Sequence, residues 1–199
     1  MRMLHALLLL SVAGVGVRAQ TAPLDQIIPQ LRQGGYVLVM RHASSPRQSP
    51  TKEQANADNL KLERQLDAAG RRAATAMGDA VRALNIPVVA VLSSPTYRAM
   101  ETVRLAGFAS PEIVEELGDG GQSMQGAADA QATWLRRKVS ELPLKGNALL
   151  VTHQPNLSKA FPSWGASVED GETVVVRPDG RGGTTVIARI PIHRWAELK

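Results

Sequence analysis

Residues 36–46, YVLVMRHASSP, decide the fold. Tyr36 to Met40 are apolar and rich in β-branched and aromatic side chains, as in a strand buried on both faces, and the run stops abruptly at Arg41 and His42. Ligands of open α/β sheets bind beyond the carboxyl ends of the strands, so this placement makes Arg41 and His42 candidates for a site. Taken alone, the pair is equally well read as the start of a solvated loop. Repetition is what gives it weight.

Two more runs of the same kind follow. Pro87–Leu92, PVVAVL, leads into Ser93-Ser94-Pro95, which supplies N-cap and first-turn signals for a helix through Ala106 with Arg98 in its first turn. Asn147–Thr152, NALLVT, ends in His153, and Pro155 opens a short helix through Phe161. The stretches between complete an alternating pattern. Upstream, APLDQIIPQLRQGG reads as a short helix with Leu24, Ile27, Ile28 and Leu31 on one face, stopped by Gly34 and Gly35. Residues 43–63 form a long polar loop, and Asp67 caps a helix through Leu84 whose inner face would carry Ala69, Ala73, Met77, Ala80, Val81 and Leu84. A short strand is expected at Glu112–Glu115, followed by a glycine-rich loop carrying Glu116 and Asp119, then a helix over 127–142. Thr173–Arg177 and Thr184–Ile190, joined by PDGRGG, read as a hairpin. The fold expected is α/β: a three-layer αβα sandwich whose central sheet is mostly parallel, with a C-terminal antiparallel hairpin at the edge.

The first twenty residues, MRMLHALLLLSVAGVGVRAQ, have the basic start, apolar core and small residues before Ala19 of a secretory signal, so residues 1–19 are expected to be removed and 20–199 to form a single domain in the periplasm or outside the cell. No membrane span is expected in the mature chain. There is no cysteine, so stability has to come from packing. The formal charge of +5 drops to +3 without Arg2 and Arg18, and the basic residues are scattered among few aromatics, which indicates neither a nucleic-acid groove nor a stacking platform. Neither a Walker pattern nor a dinucleotide fingerprint is present. With His5 in the leader and His193 in a polar tail, two histidines remain, and no metal or organic cofactor is expected.

If the strands are parallel, Arg41-His42, Arg98 and His153 converge on one crevice. Guanidinium forks suit phosphate oxygens, and an imidazole can take a phosphoryl group covalently, splitting hydrolysis into two easier steps. The part still needed is an acid to protonate the departing alcohol.

VLVMRHASS, LSSPTYRAMETVRLA and LLVTHQPNL together resemble the histidine phosphatase superfamily, which includes the cofactor-dependent phosphoglycerate mutases and many phosphatases. ERQLDAAGRRAA and GETVVVRPDG fit the same resemblance, which runs from Gly35 to the hairpin. It implies that His42 is the nucleophile that becomes phosphohistidine, that Arg41 and Arg98 bind the phosphoryl oxygens and that His153 stabilises the transferring group. Ala43 stands where the family usually has glycine, and Thr152 precedes the second histidine. Gln154 stands where the acid-phosphatase branch has its acidic donor, so the donor should come from the loop after the third strand, as in the mutase-like branch. Asp119 fits that branch's pattern, with Glu115, Glu116 and Glu172 as alternatives. Ser44, Ser45 and Arg47 could reach substrate or could simply be loop polarity.

The resemblance and the leader together therefore imply an exported phosphomonoesterase acting on a phosphorylated small molecule or an envelope sugar phosphate. The alternatives are a non-catalytic phosphate-ester-binding module of the same fold, lacking a placed proton donor, and an envelope scaffold whose pocket is filled by side chains.

Overall fold

A computed structural model describes residues 23–108, 110–119, 125–141 and 145–198, so the expected leader at 1–19 lies outside the described residues. Strand β1, Val37–Arg41, sorts the core by its alternation: Leu38 and Met40 face one layer of helices, Val37 and Val39 the other. On the first side lie α1 (Leu24–Gln33), α2 (Ala68–Ala83) and α3 (Tyr97–Leu105), packed on Leu38, Met40, Leu149, Val151 and Val175. On the second lie α4 (Gln125–Val139) and α5 (Gln154–Ala160), whose Leu135, Val139 and Leu157 pack on Val37, Val39, Leu150 and Val174. Burial on both faces is why β1 and β4 (Asn147–Thr152) read as continuous apolar runs.

The six-stranded sheet has the order β3-β2-β4-β1-β5-β6, where β2 is Val88–Ser93, β3 Glu112–Ile113, β5 Thr173–Pro178 and β6 Thr184–Ile190. The first four strands in that order are parallel, and β5 and β6 add an antiparallel hairpin, as the sequence leads one to expect. Register is what matters for function. Arg41 pairs with Thr152 and Ser93 with Val151, so the residues leaving β1, β2 and β4 emerge side by side at one edge.

Four local expectations are corrected. Asp67 does cap α2, accepting from the Gly70 amide at 2.7 Å, and Met77, Ala80, Val81 and Leu84 are buried as expected, but Gly70, Ala74 and Gly78 also lie inward while Ala69 is exposed and Ala73 half-buried. The reason is close backbone approach. A Cβ at Gly78 would sit 1.8 Å from the Ala106 carbonyl oxygen and one at Gly70 2.2 Å from that of Ser44. Helix α3 begins at Tyr97 rather than at the Ser93–Pro95 turn, because the Ser94 hydroxyl bonds the Thr96 amide in a tight turn instead of capping a helix. Strand β3 is only two residues long, since Glu115–Leu117 coils into a 3-10 turn. The C-terminal segment is not a solvated tail: Ile192–Leu198 forms 3-10 turns that bury Trp195 completely in the first core.

Candidate active site

The carboxyl ends of β1, β2 and β4 bring His42, Ser94 and His153 together, and the first turn of α3 adds Arg98. The His42 backbone is held on both sides: its amide donates to the Thr152 carbonyl at 3.1 Å and its carbonyl accepts from Gly171 at 2.9 Å. Its ring is nearly fully buried. Nδ1 lies 2.8 Å from the Ala43 carbonyl oxygen, which can only accept, so Nδ1 carries the proton and Nε2 keeps its lone pair. That lone pair accepts from Arg98 Nε at 3.1 Å. Ala43 is held in turn by its amide donating to Thr102 Oγ1, whose hydroxyl donates to the Arg98 carbonyl one helical turn back.

Arg98 is the shared member of the site. Besides His42, its Nη2 donates to Asp119 Oδ2 at 2.5 Å and to His153 Nδ1 at 3.1 Å. Because Arg98 can only donate, His153 carries its proton on Nε2, which donates to Ser94 Oγ at 2.8 Å, with Thr96 Oγ1 at 3.3 Å. The two imidazoles lie 5.1 Å apart, centroid to centroid, tilted by 58°. Burial lowers the His42 pKa from 6.5 to about 4; Arg98, Arg41 and Arg64 push in the same direction, against the Ala43 carbonyl. Burial and then Arg98 hold His153 well below its usual range as well. Both rings are therefore neutral at pH 7, as a nitrogen nucleophile must be.

The other expected residues fall into two groups. Asp119 is in the site, joined to it through Arg98, with its side chain 41% exposed. Arg41 is at the rim: Nη1 donates to the Val168 carbonyl, Nη2 pairs with Asp170 at 2.6 Å, and its charge reaches both imidazoles. Glu172 stands apart from the acid role considered for it. It is buried, pairs through both oxygens with Arg189 at 2.7 Å and accepts from the Glu169 amide, which makes it a structural clamp between the strands of the hairpin. Glu115 and Glu116 lie on the 3-10 turn before Asp119, Glu115 exposed and Glu116 half-buried. Ser44 and Ser45 are committed to the loop, donating to Asp67 and to the Gln65 carbonyl, and Arg47 is exposed.

Sequence reasoning missed three residues. Arg64 is fixed by the Ser45 and Pro46 carbonyls, and its charge bears on His42, His153, Arg98, Asp119 and Asp170. It is a third guanidinium at the pocket, and burial followed by Arg98 lowers its proton affinity. Glu101, buried one turn beyond Arg98, accepts from the Leu66 amide at 2.8 Å and from Asn56 at 2.9 Å, and so ties the 43–66 loop to α3. Ser94 holds the His153 tautomer. The sequence signal for Ser94 was its place at a strand end beside Arg98; Arg64 and Glu101 carried none without the loop's path. Among the described residues no cluster of three or more His, Asp or Glu side chains is arranged to hold a metal ion.

A model of the histidine phosphatase superfamily (branch 1) matches residues 37–121, which include His42, Arg98 and Asp119. No curated protein matches the chain. Among solved structures, the protein histidine phosphatase SixA complexed with tungstate is 18% identical, with a TM-score of 0.58 over 82% of this chain and 99% of that one. YhfR of Bacillus stearothermophilus is 16% identical, with a TM-score of 0.54 over 77% and 95%. A mutant phosphoserine phosphatase from Entamoeba histolytica in complex with phosphoserine is 12% identical, with a TM-score of 0.52 over 79% and 97%. At these identities the likeness carries the fold, a mixed α/β sheet between two layers of helices.

Proposed function

We propose that the chain is a member of the histidine phosphatase superfamily that hydrolyses phosphomonoesters, without a metal, through a covalent phosphohistidine on His42. The observation that carries this reading is the state of His42: a buried, neutral imidazole whose Nδ1 proton is pinned by the Ala43 carbonyl and whose Nε2 lone pair faces the Arg98 guanidinium. The family match over 37–121 supports it, as do the names of two fold neighbours, a protein histidine phosphatase and a phosphoserine phosphatase.

In the first step His42 Nε2 attacks phosphorus, the phosphorus–oxygen bond to the alcohol breaks, and Asp119 gives a proton to the departing oxygen. Arg98 turns its Nε–H and Nη2–H from the imidazoles and Asp119 to the phosphoryl oxygens, with Arg64 and Arg41 adding charge at the rim. His153 lines the pocket with Nδ1 beside the Arg98 guanidinium and its Nε2 proton held by Ser94. In the second step Asp119 takes a proton from water, whose oxygen attacks phosphorus as the phosphorus–nitrogen bond breaks; inorganic phosphate leaves and Nε2 regains its lone pair. The Ala43 carbonyl stabilises the positive ring of the intermediate throughout.

The rival reading, a phosphate-ester-binding module, requires an empty or apolar place on the leaving-group side. Asp119, within 2.5 Å of the guanidinium that bonds His42, speaks against it. We further infer that the protein is exported after loss of residues 1–19, on the leader's composition, which mass measurement of the secreted form would test. Among the described residues no helix is long and apolar enough to cross a membrane.

The test of the reaction is p-nitrophenyl phosphate hydrolysis with a chelator present, wild type against His42→Ala. Turnover that survives the chelator and disappears in the variant is expected, together with a phosphoryl-enzyme that is labile to acid and stable to base. Equal rates from both proteins would refute the phosphohistidine route.

A further inference from the structure

The mechanism above uses Asp119 and leaves a second carboxylate, Asp170, without a role. Asp170 lies in the turn Glu169–Glu172 that leads into β5. The turn is held by its own bonds: the Glu172 amide donates to the Glu169 carbonyl at 3.1 Å, and the Glu169 amide to the Glu172 carboxylate at 2.9 Å. Gly171 takes φ 74°, and a Cβ there would meet Ile192 at 2.7 Å. The turn is also tied to the strand that carries the nucleophile. The Gly171 amide donates to the His42 carbonyl at 2.9 Å, and the Arg41 amide to the Glu172 carbonyl at 3.2 Å. The backbone of Asp170 is therefore fixed beside the Arg41-His42 pair.

That placement decides what Arg41 can do. Its charge bears on both imidazoles, which puts the guanidinium within electrostatic reach of a phosphoryl group on His42. Its fork, however, is already taken: Nη2 lies 2.6 Å from Asp170 Oδ1, and Nη1 donates to the Val168 carbonyl at 3.1 Å. The fit is incomplete. Arg41 Nε is buried with no hydrogen-bond partner, and Asp170 Oδ1 touches the guanidinium without the alignment of a hydrogen bond. An unpaired buried donor costs free energy that a phosphoryl oxygen would recover. Against that gain stands the carboxylate. Burial raises the Asp170 pKa despite Arg41 and Arg64, with Asp67 adding to the effect, so removing Arg41 strands a half-enclosed charge.

We propose that Asp170 is a positioning residue that withholds Arg41 from the phosphoryl group, and so limits the affinity of the pocket and speeds the departure of inorganic phosphate. This rests on the phosphate pocket proposed above and goes beyond it by assigning the residue that sets its affinity. A further guanidinium on the dianion would bind substrate and product alike, which slows release without helping the chemical step.

Calorimetry with inorganic phosphate at pH 8, on the full chain, tests the proposal. Asp170→Asn should bind phosphate about tenfold more tightly than wild type, and phosphate should inhibit p-nitrophenyl phosphate hydrolysis at a correspondingly lower concentration. Asp170→Ser, whose shorter side chain cannot keep the contact with Arg41, should gain at least as much. The Asp170 side chain is 36% exposed, so neither substitution threatens folding. In an Arg41→Ala background the gain from Asp170→Asn should shrink below about twofold, because no guanidinium is left to release. A gain that persists at full size without Arg41 would mean that Asp170 only repels anions, and unchanged or weaker binding in both Asp170 variants would deny the withholding. Either result overturns the proposal, while phosphate binding that Arg98→Ala abolishes leaves the pocket standing. Binding indifferent to Arg98→Ala, or no binding by any of these proteins, would overturn the pocket and the proposal together.

Discussion

Acidification tests the central electrostatic claim directly. An unfolded chain titrates His42 at its ordinary 6.5, whereas burial holds the folded ring at about 4. Between these values the unfolded chain binds more protons, so folding stability rises with pH there: the contribution is fully present above 6.5 and is lost as pH falls toward 4. The whole gap corresponds to about 3 kcal/mol, and about 2 kcal/mol of it is gone by pH 5. The ring is almost inaccessible to water, so little of this is screened. Urea unfolding at pH 7.5 and 5.0 should show wild type losing about 2 kcal/mol more than His42→Gln, because His153 titrates in both proteins and largely cancels. In parallel, the His42 ring resonances should titrate near 4 by NMR, and the acid limb of kcat/KM, corrected for the second ionisation of the substrate, should follow them. A ring midpoint near 6.5 with parallel stability curves would refute the claim that burial among arginines keeps the nucleophile neutral.

Asp119→Asn should lower kcat on an alkyl phosphate by about a hundredfold or more and on an aryl phosphate, whose leaving group needs little protonation, by much less; equal losses in steady-state assays would deny Asp119 the proton-transfer role. Glu172→Gln should cost about 3 kcal/mol of stability in urea unfolding by stranding Arg189, while the pH profile of kcat keeps its shape; a lost basic limb would reinstate Glu172 as the acid. Gly78→Ala should cost about 2 kcal/mol, since its Cβ would overlap the Ala106 carbonyl, and an unchanged urea midpoint would mean that α2 and α3 do not approach as described.

The sheet was legible because burial on both faces writes strands as unbroken apolar runs, and β1 and β4 are such runs. The hairpin was legible by its PDGRGG turn, and the placement of His42, Arg98 and His153 by the rule that parallel strands end together. What stayed hidden depends on distances that periodicity does not encode. The inner face of α2 was read correctly at Met77, Ala80, Val81 and Leu84 but not in its first turns, because glycine scores as no hydrophobe, although Gly70 and Gly78 are where backbones touch. Ser94 looked like a cap because a Ser-Pro pair usually is one; here its hydroxyl had a histidine to bond. Arg64 and Glu101 depend on the path of the 43–66 loop, a stretch with no repeating pattern to read.

The charges at the site suggest why Asp119, rather than a better buried carboxylate, suits the acid role. Three guanidiniums, Arg41, Arg64 and Arg98, face two carboxylates, Asp119 and Asp170, across two neutral rings. A phosphoryl dianion adds two negative charges to a group carrying one excess positive charge, so one carboxylate has to give up its arginine or take a proton. Asp170 is the more enclosed: burial raises its pKa, yet it stays on Arg41 at the rim. Asp119 is the more exposed, and its partner Arg98 is the guanidinium that must turn to the phosphoryl oxygens. Substrate therefore competes with Asp119 for Arg98, and the displaced carboxylate is freed to face the departing oxygen. On the proposed mechanism, the contact that stabilises the empty pocket is the one whose loss arms the acid. Asp119→Asn, which removes the competing carboxylate from Arg98, should then bind a phosphonate dianion more tightly than wild type by calorimetry at pH 7, and equal affinities would refute the competition.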